Sequence, residues 1–249
     1  MKNQYVGDFN DYVKYAILRA LAKHGLPVVL CWMLTPNDES GEGRKLQYLR
    51  RPDQYRGFDP ALFDRLSQVV ADGDRSISAV EDRDLFPGTR FYAGLLDDEQ
   101  QARQAYFDGL WDSLERQCVV FFDPDNGLPV ASRPKGRKLS SKYLYWDEAR
   151  ECSSRGHSLI VFQHFARTER WRYLEGLLDR LRVETGLEEA FAIQSPNVAF
   201  LVAAQEEHAE ALNVAAGSIA RRWNGRIGIV RSPEKQRRAD PYGIDTFAV

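Results

Sequence analysis

Apolar residues recur along the chain in two rhythms, and the alternation between them predicts the order of elements. Within residues 10–25, Val13, Ala16, Ile17 and Ala20 fall at i, i+3, i+4 and i+7, the stripe of an amphipathic helix. Asn10 or Asp11 can cap its start and Gly25 can end it. "PVVLCWML" follows as a buried strand. Residues 35–59 are polar and too long for an idle connection, which marks them for function. A helix is predicted from Pro60, in the favoured first-turn position, to about Ala71. Short strands are predicted at "SISAV" and "RFYAG". In residues 97–117, Phe107, Leu110, Trp111 and Leu114 stripe another helix. "CVVFFD" is continuously apolar, as a parallel strand covered on both faces should be. Ser140 or Ser141 can cap a helix ending near Gly156, "HSLIVF" reads as a buried strand, and Thr168 can cap the helix over "TERWRYLEGLLDRLRVETG". "AFAIQ" and "VAFLVAA", joined by Ser195-Pro196-Asn197, read as an antiparallel hairpin. A helix over residues 206–223 and a strand near "RIGIV" close the chain.

Strands alternating with helices imply an α/β fold: a doubly wound, mostly parallel sheet with helices on both faces and a C-terminal antiparallel hairpin. A doubly wound sheet closing in such a hairpin resembles the Rossmann-like class I S-adenosylmethionine-dependent methyltransferases. The expected organisation is a single α/β domain over residues 1–249.

Composition narrows the function classes little. The 249 residues are 43% hydrophobic and 28% charged, with a net charge of −2, so only local clustering of charge can speak for a nucleic-acid partner. Cys31, Cys118 and Cys152 are too scattered for a disulfide framework or a paired-cysteine metal site. His157 and His164 bracket one strand and so cannot share a metal. His164 can face the crevice beyond the strand ends, although a lone histidine there is more often structural, and His24 and His208 read as helix-surface residues. The start lacks a basic segment followed by an apolar run, and "LPVVLCWML" is too short to span a bilayer. A cytoplasmic protein without a membrane partner is expected. The absence of GxSxG, HExxH and P-loop motifs sets aside the common hydrolase, zinc-protease and nucleotide triphosphatase readings.

Chemistry concentrates where "VVFFDPDNGL" ends. An apolar strand there runs into Asp123-Pro124-Asp125-Asn126-Gly127, at the carboxyl end where ligands of open α/β sheets bind. Three roles fit. Asp123, Asp125 and Asn126 can accept hydrogen bonds from a substrate amino group and orient its lone pair. Asp123 and Asp125 can instead hold Mg²⁺ for a nuclease or phosphatase. The third possibility is a plain turn, since all these residues favour turns.

"GDFNDYVKY" over residues 7–15 resembles the "GN-x-x-D-x-x-K-H" segment of the bacterial family that N6-methylates adenine in large-subunit ribosomal RNA. Gly7, Asp11 and Lys14 match. "LFPGTRFYAGLL" resembles that family's "YPGSP" segment, and "VVFFDPDNGL" takes the place of its strand plus "DPPY". The sequence also resembles a group of uncharacterised bacterial proteins carrying "GD-x-x-D-Y-x-K-Y", "CWMLTP" and "DPDNGL", a likeness that brings no activity with it. The methyltransferase resemblance implies S-adenosylmethionine as cofactor, an adenine amino group as acceptor, and Lys14, Asp11, Gly41 and Gly43 near the cofactor. Glu81 and Asp82 join that set because an acid after the second strand commonly binds ribose hydroxyls. The chain departs from that family after its first strand, where "CWMLTPNDESGEG" brings Gly41 and Gly43 late, and at "DPDN", which lacks the second proline and the aromatic.

Arg133, Lys135, Arg137, Lys138 and Lys142 follow the motif closely, with Tyr143, Tyr145 and Trp146 after them. Such a loop suits an RNA or DNA backbone with bases stacking on the aromatics; a solvated loop ahead of core aromatics fits equally. Three functions are therefore carried forward: a methyltransferase acting on a nucleic-acid base, a Mg²⁺-dependent nuclease or phosphatase, and a catalytically silent nucleic-acid-binding module.

Overall fold

The computed structural model describes residues 1–38, 43–81 and 85–231. Seven strands, β1 (Val28–Cys31), β2 (Thr89–Tyr92), β3 (Val119–Phe122), β4 (Ser158–His164), β5 (Glu189–Gln194), β6 (Val198–Ala204) and β7 (Gly228–Val230), form one sheet in the order β2-β1-β3-β4-β6-β5-β7. The first four in that order pair in parallel. β6 then inserts antiparallel between β4 and β5, and β7 runs antiparallel to β5. The chain leaves β1 for one neighbour, β2, and returns across it to the other, β3. That reversal is the switch point at which open α/β sheets leave a crevice. Cys31 is in register with Phe122, so both strands stop level and Trp32 and Asp123 emerge side by side.

The alternation of strand side chains builds two cores. Val28, Leu30, Val119, Phe121, Ile160 and Phe162 point to one face, which is covered by α1 (Phe9–Lys23), α3 (Pro60–Ala71) and α7 (Glu206–Arg222). Val29, Cys31, Val120, Phe122, Leu159 and Val161 point to the other, under α4 (Gln100–Asp112), α5 (Trp146–Ser154) and α6 (Arg170–Thr185). Phe121 and Phe122 are fully buried on opposite faces, each burial contributing roughly 1.5–3 kcal/mol. A continuously apolar strand is therefore what this position requires. One further short helix, α2, spans Pro52–Tyr55.

Several expected boundaries shift for local reasons. Asp8, not Asn10 or Asp11, caps α1, accepting from the Asn10 amide at 2.8 Å. α3 begins at Pro60 as expected, with Asp59 accepting from the Leu62 amide. "SISAV" is no strand: Ile77–Ala79 form a 3-10 turn, with Ile77 and Val80, three apart, both buried. Ser140 and Ser141 do not start α5. Their segment is a separate 3-10 turn held by Asp98, and Glu148 closes the helix start on the Tyr145 amide. Glu169 rather than Thr168 occupies the cap of α6. His208 is buried, its Nδ1 2.9 Å from the Ser158 hydroxyl. Among the described residues no helix is long and apolar enough to cross a membrane.

Candidate functional site

A cavity of about 310 Å³ opens at the carboxyl edge of the sheet, where Asp123, Pro124, Asp125 and Asn126 line it together with Asp11 and Lys14 of α1. Its position follows from the level ends of β1 and β3 and from the Asp123 amide, which continues the ladder by donating to the Cys31 carbonyl at 3.0 Å.

The turn itself is held by β4. Gly127 has φ +113°, and a Cβ there would lie 2.3 Å from the Gln163 side-chain oxygen. That oxygen accepts from the Leu128 amide at 2.7 Å, while the Gln163 nitrogen donates to the His164 carbonyl and the Tyr173 hydroxyl. Only glycine permits both the backbone conformation and the close approach. The turn residues therefore do more than reverse the chain: they let β4 clamp the loop against the cavity.

The two acids face different partners. Lys14 Nζ lies 2.6 Å from Asp123 Oδ2 and 2.7 Å from Asp11 Oδ1, and all three residues are at least 97% buried. The ammonium also sits over the rings of Tyr15, Trp32 and Phe162, a favourable cation–π environment. Burial works to lower the Lys14 pKa, but Asp11 and Asp123 prevail and raise it. Asp125 turns toward the amine of Met1 at 2.7 Å, the Thr35 hydroxyl at 3.1 Å, Lys2 at 3.8 Å and Lys142 at 3.9 Å. Burial works to raise the Asp125 carboxyl, yet these cations hold it below the usual range. Asp123 Oδ1 and the Asn126 side-chain amide make no hydrogen bond among the described residues.

Asp11 is the group placed to titrate. Burial pushes its carboxyl up to about 6, against the pull of Lys14. A carboxyl raised on folding stabilises the fold below its unfolded pKa and withdraws that contribution as pH rises through the folded value. Stability drawn from Asp11 is thus lost between about pH 4 and pH 6. Asp11→Asn is expected to become more favourable, relative to the parent, by about 2 kcal/mol between about pH 4.5 and pH 6.5. Urea unfolding at the two pH values reads this directly, and a pH-independent difference refutes it.

The other sequence-predicted residues fall in several places. Gly43 lines the cavity, but its missing Cβ makes room for the Gln4 carbonyl of the chain itself. Glu81 accepts from the Trp32 indole at 2.7 Å and does not line the cavity. Gly41 and Asp82 lie outside the described residues. In the basic loop, Arg133, Arg137 and Lys138 are exposed and Lys142 reaches Asp125, whereas Lys135 is committed to Asp147 and Glu148. Tyr145 and Trp146 are buried, so of the aromatics expected to stack only Tyr143 keeps partial exposure. Arg103, missed in the sequence, is fully buried, pairs with both oxygens of Glu148 and donates to the Ser140 and Tyr143 carbonyls, anchoring the far end of that loop. Lys2, Tyr5, Thr35, Lys45 and Gln163 were also missed; no spacing in the sequence connects them to the motif.

A metal would compete with ammonium groups for both acids, and among the described residues no group of three His, Cys, Asp or Glu side chains is placed to hold one. Neither the comparison with models of protein families nor that with curated proteins returns a match.

Proposed function

We propose that the protein is an S-adenosylmethionine-dependent methyltransferase-like enzyme that modifies a nucleic-acid base, with the adenine amino group as acceptor. The observation that carries the reading is the Asp123-Pro124-Asp125-Asn126 turn lining a switch-point cavity with two hydrogen-bonding groups, Asp123 Oδ1 and the Asn126 amide, left without protein partners. Polar groups that face a cavity without protein partners are available to a ligand of matching chemistry. An exocyclic amine meets both: Asp123 would accept one proton and Asn126 another, turning the nitrogen lone pair outward. The doubly wound sheet closing in an antiparallel hairpin, with the motif at the carboxyl end of β3, supports the same class.

The lining also suits the cofactor's ends. Lys45 would meet a carboxylate, and Asp11 an ammonium or hydroxyl. Bound there, the cofactor supplies an electrophilic methyl group. Lys14 holds the Asp123 carboxylate in place, and Arg133, Arg137 and Lys138 would contact phosphates.

Calorimetric titration with S-adenosylhomocysteine is expected to give saturable one-to-one binding. Asn126→Ala should bind it equally while transferring methyl groups from labelled cofactor to bulk RNA about 100-fold more slowly. Absence of binding removes the methyltransferase reading, and salt-dependent RNA binding without turnover would favour a silent binding module.

A further inference from the structure

Beside the acceptor-orienting groups, the cavity carries an aromatic ring at its mouth. His164 is the last residue of β4, is exposed, and lines the cavity next to Asn126, whose carbonyl accepts from the His164 amide at 3.1 Å. Its ring meets Phe162 edge-to-face, with centroids 5.0 Å apart and planes at 87°. Phe162 in turn is buried against Phe200 and beneath the Lys14 ammonium, so the support under the imidazole is rigid. Backbone position is set as well, because the His164 carbonyl accepts from Gln163 and Tyr173.

We propose that His164 is the stacking residue of this site, packing against the face of an unpaired base whose amino edge is turned to Asp123 and Asn126. This inference rests on the proposed function only for the class of ligand. A base has two recognition surfaces, its hydrogen-bonding edge and its π face, and a site for one splayed out of a strand engages both. The edge-reading groups sit on the β3 turn; the next strand ends in a ring beside them. The neighbouring candidates for stacking, Tyr145 and Trp146, are buried elsewhere. Tyr5, which also lines the cavity, comes from the N-terminal turn, and the Lys2 ammonium lies over its ring.

The test uses a short single-stranded RNA carrying 2-aminopurine, whose fluorescence falls on stacking, with anisotropy reporting total binding. The parent protein is expected to quench the probe on binding. His164→Ala should lose the quench and weaken binding about tenfold, whereas His164→Phe should retain quench and affinity within about twofold. A quench unchanged in His164→Ala overturns the proposal, as does a parent protein that binds the RNA without quenching it or does not bind it. S-adenosylhomocysteine titrated into the same three proteins separates the two ideas. Cofactor binding with a His164-independent quench sinks the stacking role alone; a His164-dependent quench without cofactor binding sinks the methyltransferase reading alone.

Discussion

Lys14→Met is expected to lower stability by about 3–5 kcal/mol, the cost of stranding buried charge when one partner of a buried ion pair is removed. The methionine keeps most of the lysine's apolar stem but not the ammonium that sits over Tyr15, Trp32 and Phe162, so the loss is chiefly electrostatic. Asp11 and Asp123 would then face each other as two acids without a cation, and Asp11, already raised by burial, would lose the pull of Lys14 and take up a proton more readily. Urea unfolding gives the first quantity and potentiometric proton counting the second. A loss below about 1 kcal/mol, the range of exposed pairs, would show that water from the cavity screens the lysine and that its burial contributes little to the pairing.

Arg103→Met is the second large effect, again about 3–5 kcal/mol, with a different signature. This guanidinium ties α4 to Glu148 and to the carbonyls of Ser140 and Tyr143, so its removal should loosen residues 128–143 while leaving the Lys14 cluster intact. Limited trypsin digestion should then cut faster at the exposed Arg133, Arg137 and Lys138. Glu148 would keep Lys135 and the Tyr145 amide as partners, so the charge it leaves uncompensated is only partial. Unchanged digestion in Arg103→Met would mean that Asp98, through the Leu139 and Ser141 amides, and the contacts of Lys135 and Tyr145 hold the loop without the guanidinium.

The contrast between the two residues also explains what was legible in the sequence. Asp11 and Lys14 are three apart on a helix, so their pairing follows from spacing. That Lys14 also meets Asp123 depends on how α1 packs across β1 and β3, which no local pattern encodes. The motif loop was legible because a continuous apolar run and a cluster of turn formers are both local signals. Its clamp was not: Gln163 reads as one polar residue at a strand end, and nothing near it in the chain announces the missing Cβ at Gly127. The "SISAV" segment misled because short apolar pairs fit either period, and Ile77 and Val80 proved to be spaced for a 3-10 turn. Ser140 and Ser141 misled because a serine before a helix is normally a cap; here Asp98, distant in sequence, engages their segment first.

The β3 turn draws on three remote stretches of chain. Met1 reaches the Asp123 carbonyl across 122 positions, Lys14 reaches its carboxylate across 109, and Thr35 reaches Asp125 across 90. Contacts of such separation repay their loop-closure entropy only after the parallel strands between them have paired. The site is therefore assembled late, when β1, β3 and α1 are already docked, and disturbance at Lys14 should appear in the unfolding rate far more than in the folding rate. A chain that has made its sheet but not its charge cluster would be compact yet lack the formed cavity wall, so the acid–lysine cluster doubles as the molecule's own mark of completed folding.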